Sequence, residues 1–140
     1  MLRPIVPVSL VAGADHLAPS AALIDTGSES VLAAGWLADV LGVDLSANPD
    51  RVTVGIGGQV AEVTFVEVGL RLHAVHDVDE AVDWRADVGF VPGWPAPFPM
   101  VLGQVGFLDT FTVTLSRVAA MLAIEAADVF DARFGTGAPH

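Results

Sequence analysis

The spacing of hydrophobic residues along the chain predicts a protein built mainly from short β-strands. Pro4 to Val11 has the pattern of an extended segment, and its prolines stand near the start, where a missing backbone N–H is tolerated. Val52 to Leu72 predicts two strands on either side of a glycine-rich tip, Gly55 to Gly58. Alternating apolar residues predict a closing hairpin about Ser116 and Arg117, with strands at 112–115 and 118–124.

Other segments depart from this strand pattern. Apolar residues recur at helical spacing between Glu29 and Leu41, and Gly42 is a natural stop, so this segment predicts the main helix. Val105 to Phe111 predicts a second, short helix. Ala12 to Pro19 is polar enough to predict a turn region, and Pro92 to Pro99 predicts an ordered loop or an extended segment because it holds four prolines. The acidic stretch 73–88 fits no single element.

The two halves of the chain share a weak internal similarity. An apolar strand, a glycine-containing turn and a predicted short helix occur between Leu23 and Val40 and again between Met100 and Phe111. This similarity does not recur at a fixed period, which argues against a solenoid. With 140 residues, of which 53% are hydrophobic, the chain predicts one domain with a real core over residues 1–134 and a mobile tail over 135–140.

Charge and composition exclude several functions. The formal net charge is −11 and every basic residue is an arginine, so the basic surface that nucleic acids or anionic membranes require is not expected. The chain contains no cysteine, which rules out disulfides, thiolate nucleophiles and cysteine-bound metals. No apolar run reaches the ~18 residues of a membrane span, and Pro4 and Pro7 interrupt any signal-peptide helix, which predicts a cytoplasmic protein.

The chemically informative segment is Ala22 to Ser28. Asp25 directly follows a short apolar run, where a charge is costly unless it is shared or hydrogen-bonded. Thr26 and Ser28 offer hydroxyl groups, and Gly27 lets backbone amides approach the carboxylate. The segment therefore predicts a carboxylate fixed in a rigid turn, although an ordinary strand-to-helix turn with an aspartate cap explains the same residues.

Three motifs, in this order, resemble those of one enzyme family. Leu23 to Ser28 is similar to the hallmark of aspartic proteases, which include the pepsins and the retroviral proteases. Val54 to Gly58 resembles the flap tip of retroviral proteases and lies about thirty residues downstream of the aspartate, as in that family. Met100 to Gly103, followed by Phe107-Leu108 and by 111–114, is similar to the closing strand, helix and strand of the same family.

The resemblance covers residues 4–124 and implies an all-β, closed barrel-like acid-protease fold with a main helix and a short second helix. The family uses two aspartates that share a proton, whereas this chain holds one Asp-Thr-Gly sequence, so Asp25 would have to pair with its copy in a homodimer. The implied activity is hydrolysis of peptide bonds in a peptide or protein substrate, without a cofactor or a metal. The resemblance also assigns the flap to Gly55, Ile56, Gly57 and Gly58, and the substrate groove to Glu29, Ser30, Pro97 and Phe98.

One departure from the family concerns Gln104, because retroviral proteases commonly have an arginine there that binds acidic residues near the site. A catalytically silent peptide-binding or oligomerisation module with the same fold therefore stays open as an alternative function. His73 and His76 do not predict a metal site, because strand residues three apart point to opposite faces. For the aromatic residues Trp84, Trp94 and Phe98, the sequence leaves open whether they belong to the core or to the groove wall.

Overall fold

The computed structural model describes residues 4–13, 16–47, 50–56, 58–74, 80–94 and 96–127. These residues form one α-helix, a one-turn 3-10 helix at Leu45–Ala47 and nine strands. The helix α1 spans Gly35–Leu41, and the strands are β1 Ile5–Ala12, β2 His16–Ile24, β3 Val31–Ala34, β4 Arg51–Ile56, β5 Gln59–His73, β6 Ala81–Val91, β7 Met100–Leu102, β8 Phe111–Ser116 and β9 Met121–Ala126.

Six strands close into a barrel. Their order is β1-β2-β7-β3-β6-β5, and the barrel closes where β1 pairs with β5, with Val8 opposite Leu72 and Val11 opposite Gly69. The strand β4 extends the sheet beyond β5 as one arm of a hairpin, and β8 and β9 form a separate two-stranded sheet. The all-β, barrel-like fold class predicted from the sequence is confirmed.

Alternation along the barrel part of the strands places the main core inside the barrel. In residues 66–72 of β5 and 84–90 of β6 the even-numbered side chains point inward, among them Leu70 and Phe90, which are fully buried. Odd-numbered residues of these two segments carry the charges, and on this outer face Arg71 binds Asp83 and Arg85 binds Glu67. Since one face of each strand is apolar and the other charged, a one-residue slip would bury charges, and the register is fixed.

The predicted helix over 29–41 is wrong in its first half. Val31–Ala34 forms β3, which lies between β6 and β7 and is buried at all four residues. A fully buried strand shows no alternation, so its apolar run is indistinguishable from one face of a helix. The second half is correct: α1 ends at Gly42, which has φ 74° and donates its backbone N–H to Asp39 O at 3.1 Å.

Two further expectations need correction. The predicted turn region 12–19 contains the first half of β2, because Ala12 pairs directly with His16 across a tight hairpin. The short helix predicted over 105–111 is a series of turns, in which Phe111 and Thr110 both bond Phe107 O, and the second helical element is the 3-10 turn at 45–47. The predicted closing hairpin is confirmed, with its turn at 117–120.

An aromatic cluster attaches the closing hairpin to the barrel. Trp84 on β6 packs against Phe107 and Phe111, with ring centroids 5.8 and 5.0 Å away, and its indole N–H donates to Gly106 O at 2.8 Å. Trp84 therefore belongs to the core. No helix among the described residues is long and apolar enough to cross a membrane. The predicted mobile tail, 135–140, lies outside the described residues.

Candidate active site

Asp25 lies at the end of β2, in a turn held on both sides by backbone hydrogen bonds. The N–H of Asp25 donates to Leu102 O at 3.0 Å, because β2 and β7 run parallel with Ile24 beside Leu102. The turn closes where Ser28 N donates to Asp25 O at 3.1 Å. The two similar segments of the sequence, 23–40 and 100–111, are thus neighbours in the barrel, and the contact between β2 and β7 fixes the backbone of Asp25.

The carboxylate of Asp25 is half-buried and is oriented by one backbone amide. Gly27 N–H donates to Asp25 Oδ1 at 2.9 Å. A Cβ atom at position 27 would lie 3.2 Å from the same oxygen, so glycine allows this close approach. Among the described residues this is the one hydrogen bond to the carboxylate, so it keeps acceptor sites free for a water molecule, a substrate or a second carboxyl group.

The two hydroxyl groups of the turn do not contact this carboxylate. Ser28 Oγ donates to Ser30 O at 2.8 Å, so it stiffens the segment that follows the turn. Thr26 is exposed, and its backbone carbonyl accepts a hydrogen bond from Gln104 Nε2 at 2.7 Å. Gln104 therefore supports the turn through its amide group.

Gly103 brings two backbone segments into direct contact beneath the turn. A Cβ atom at this position would collide with the carbonyl oxygens of Ser30 and Ser28. The neighbouring amides bond the same segment: Gln104 N donates to Ser28 O, and Val105 N donates to Glu29 O, both at 2.9 Å. Glu29 is exposed and Ser30 half-buried, and both are held by this ladder immediately after the Asp25 turn.

The predicted glycine-tipped hairpin is present and has two chemically different faces. One face is apolar and includes Val54 and Val63, and the other carries the ion pair between Arg51 and Glu62 at 3.5 Å. Gly58 at the tip has φ 80°, a conformation that favours glycine. The side chain of Ile56 and all of Gly57 lie outside the described part of the chain, and Gly55 is exposed.

A small second cluster connects this hairpin with the barrel. Leu32, Val63 and Val91 form its buried centre, and the side chain of Trp94 packs against them and also against the main core. The indole of Trp94 donates to Phe98 O at 2.7 Å, which folds the 92–99 loop back on itself. Phe98 is half-buried and Pro97 exposed. The β4–β5 hairpin, the loop that contains Trp94 and β3 thus pack against one another.

The ion pairs and the shifted carboxyl pKa values of the described residues lie outside the Asp25 turn. Arg71 donates to both carboxylate oxygens of Asp83, at 2.7 and 3.0 Å, and this hydrogen bonding lowers the pKa of Asp83. The pKa of Asp44 is also lowered, chiefly because the Ser46 hydroxyl donates to it. No group of three or more metal-ligating side chains occurs among the described residues; His73 bonds Ser9 Oγ, and His76 is not described.

Comparison with solved structures supports the fold. The retroviral protease-like domain of Ddi1 from Leishmania major superimposes with a TM-score of 0.55 at 13% identity, covering 89% of this chain and 90% of that chain. EIAV protease in complex with the inhibitor HBY-793 gives 18% identity and a TM-score of 0.39, over 73% of this chain and 82% of that one. No family model and no curated protein matches the sequence. The chain thus has a retropepsin-like fold.

The Asp25 turn is predictable from the sequence, whereas the support from two other residues is not. In the sequence Gln104 is only a departure from the retroviral pattern, and its bond to Thr26 O spans 78 positions along the chain. Gly103 only follows an apolar run in the sequence, and its contact with 28–30 depends on the parallel pairing of β2 and β7. A glycine directly after a buried strand is the one local signal of such a close approach.

Proposed function

We propose that this protein is an aspartic endopeptidase whose active site forms between two copies of the chain. The observation on which the proposal depends is the Asp25 turn: a half-buried carboxylate oriented by the Gly27 amide, within a retropepsin-like fold. One Asp-Thr-Gly sequence is present per chain. In the second of the two similar segments, Gly103 and Gln104 follow β7 where an aspartate would be needed. The second acid therefore has to come from Asp25 of another copy.

The chemistry follows from two carboxyl groups at close range. Because adjacent carboxylates cannot both ionise, the pair holds one proton. The ionised Asp25 accepts a proton from water as the water oxygen attacks the peptide carbonyl carbon, and the protonated Asp25 of the other copy gives its proton to the carbonyl oxygen, which forms a tetrahedral diol. The first Asp25 then passes its proton to the amide nitrogen as the C–N bond breaks, while the second takes a proton from one hydroxyl group of the diol. The two products leave and the pair again holds one proton. The hydrogen bond from Gly27 would keep each carboxylate in the orientation that this exchange requires.

A transition-state mimic distinguishes this proposal from a different use of the fold. Pepstatin carries a hydroxyl group in place of the attacked carbonyl, and calorimetry should find one pepstatin bound per two chains, because both carboxyl groups contact the same hydroxyl. Binding at that ratio without cleavage of any peptide in a diverse library would favour the silent peptide-binding module. Absence of pepstatin binding, or one molecule per chain, would contradict a shared site.

We further propose that the β4–β5 hairpin acts as a flap that closes over bound peptide. Its apolar face, with Val54 and Val63, is continuous with the cluster around Leu32 and Trp94, which would form a wall of the cleft. The opposite face is charged and suits solvent, as expected of a mobile cover. Glu29, Ser30, Pro97 and Phe98 are the proposed groove residues.

Gly58→Val is expected to reduce kcat/KM by at least about tenfold, because a β-branched residue at φ 80° stiffens or reshapes the tip that has to open and close. Gly13→Val is the matched control. Gly13 has φ 68°, and like Gly58 it has open space around it, but it lies between β1 and β2. Both variants should lose a similar ~1–2 kcal/mol of stability from backbone strain. Equal kcat/KM in the two variants would remove the flap from the mechanism.

A further inference from the structure

The β8–β9 hairpin leaves large apolar side chains exposed around its turn. Val113, Leu122 and Ile124 pack against the core. Leu115 lies on the same face, opposite Leu122 and nearer the turn, whereas Met121 lies on the other face. Leu115 is 55% exposed, Met121 65%, and Val118 at the tip is fully exposed. A two-stranded sheet is marginally stable in water by itself, so an exposed apolar tip on such a sheet indicates a surface that is covered by something else.

Beside this hairpin, the barrel has an apolar groove of about 400 Å³. One wall is the β9 strand, including Met121, and the other is formed by the beginning of β1 and β6, where Ile5 and Val82 are 45% and 46% exposed. Glu80 is exposed at the edge of the groove. The groove and the Val118 tip are thus parts of one continuous surface, because Ala120, the last residue of the 117–120 turn, also lines the groove.

The charges at tip and groove are complementary. Arg51, Arg71 and Arg85 each bind a carboxylate of the neighbouring strand. Arg117, directly before Val118, makes no ion pair with any described residue, and neither does Glu80. In a chain of net charge −11, an arginine without a carboxylate partner at an apolar tip favours a partner surface that is apolar and acidic. The groove beside Glu80 has both properties.

We infer that two copies of the chain dock by exchanging hairpin tips: Val118 of each copy enters the groove of the other, and Arg117 lies against the partner's Glu80. A two-fold dimer requires a self-complementary surface, and a projecting tip next to a receptive groove on the same face satisfies this requirement. The inference rests on the proposed function, in which one Asp25 per chain leaves the site incomplete without a second copy. Trp36 and Val40 on α1 also form an exposed apolar pair, but they lie outside the groove lining.

Charge exchange tests this contact, with dissociation constants measured by analytical ultracentrifugation and peptide cleavage assayed on the same samples. Arg117→Glu and Glu80→Arg should each raise the dimer dissociation constant at least about tenfold, since like charges would then meet across the interface. The double variant Arg117→Glu/Glu80→Arg should return to within about threefold of the wild type. Failure of the double variant to recover would overturn the pairing of tip and groove.

Replacing exposed apolar residues by aspartate provides a second test of the contact. Val118→Asp should raise the dissociation constant by about 100-fold or more, because a charge would have to enter the apolar groove, whereas Val40→Asp should leave it unchanged. Both positions are exposed, so circular dichroism should show folded chains in both cases. A Val118→Asp variant that dimerises and cleaves like the wild type would overturn the inference and leave the protease function intact. A dimer that Val118→Asp dissociates, but that never cleaves peptide, would support the inference and contradict the protease function.

Discussion

Replacing Asp25 by Asn is expected to lower kcat/KM for peptide cleavage by about three orders of magnitude or more, with the dimer kept. An amide side chain can hydrogen-bond a substrate carbonyl, but it cannot accept the proton of the attacking water, and loss of such a group removes most of the catalysis. The amide still presents an oxygen to the Gly27 N–H, so the turn keeps its shape. The dimer should dissociate no more than the wild type, because the two amide groups carry no charge and do not repel each other.

Asp87→Asn is the matched control for this variant. Asp87 is an exposed residue on the outer face of β6, opposite Glu67, and its loss changes the net charge by the same amount as Asp25→Asn. It should retain wild-type kcat/KM within about twofold, as expected for an exposed position. Cleavage by the Asp25→Asn variant at a comparable rate would refute the protease function.

Gly103→Ala is expected to destabilise the fold by about 3 kcal/mol or more, a large effect for a single methyl group. The added Cβ atom would collide with the backbone carbonyl of Ser30 and lie 2.5 Å from that of Ser28. Backbone carbonyls cannot turn aside as a flexible side chain can, and these two are further fixed by hydrogen bonds: Ser28 Oγ to Ser30 O, and Gln104 N to Ser28 O. Urea unfolding followed by tryptophan fluorescence measures the change.

Gly55→Ala is the corresponding control, because a Cβ atom there meets no atom within 4 Å and the backbone φ is not in the left-handed region. Its free energy of unfolding should stay within about 0.5 kcal/mol of the wild-type value. If Gly103→Ala unfolds at the same urea concentration as the wild type, the close approach of the two segments is not a stability determinant. A folded Gly103→Ala chain with displaced 28–30 should lose cleavage as well, since the Asp25 turn precedes that segment.

Alternation of apolar and polar residues was sufficient to predict most of the strands. It located β1, the β4–β5 hairpin and the closing hairpin to within a few residues, because each has one face toward the core and one toward solvent. It failed for β3, whose four residues are all buried, since such a strand and one face of a helix have the same pattern. The 105–111 segment predicts a helix but forms turns, because Phe107 and Phe111 both face Trp84, a spacing that a helix also produces.

At the candidate site, local residues were predictable and long-range contacts were not. The Asp25 turn is encoded within seven consecutive residues, and the Gly27 amide contacts the carboxylate as its lack of a side chain suggested. The Ser28 hydroxyl was expected near the carboxylate, yet it bonds Ser30 O, because the ladder with 103–105 determines which way this segment faces. Contacts such as Gln104 with Thr26 depend on the pairing of β2 with β7, which no local pattern reveals.

Mixing the wild-type chain with a ninefold excess of the Asp25→Asn chain tests most directly whether the active site is shared between two copies. If each site needs one Asp25 from each chain, free exchange leaves about one tenth of the wild-type chains in fully wild-type dimers, and cleavage per wild-type chain should fall about tenfold. The same excess of the Asp87→Asn chain should not depress cleavage per wild-type chain. Cleavage that stays proportional to the amount of wild-type chain, unaffected by the Asn variant, would contradict a dyad formed across the dimer.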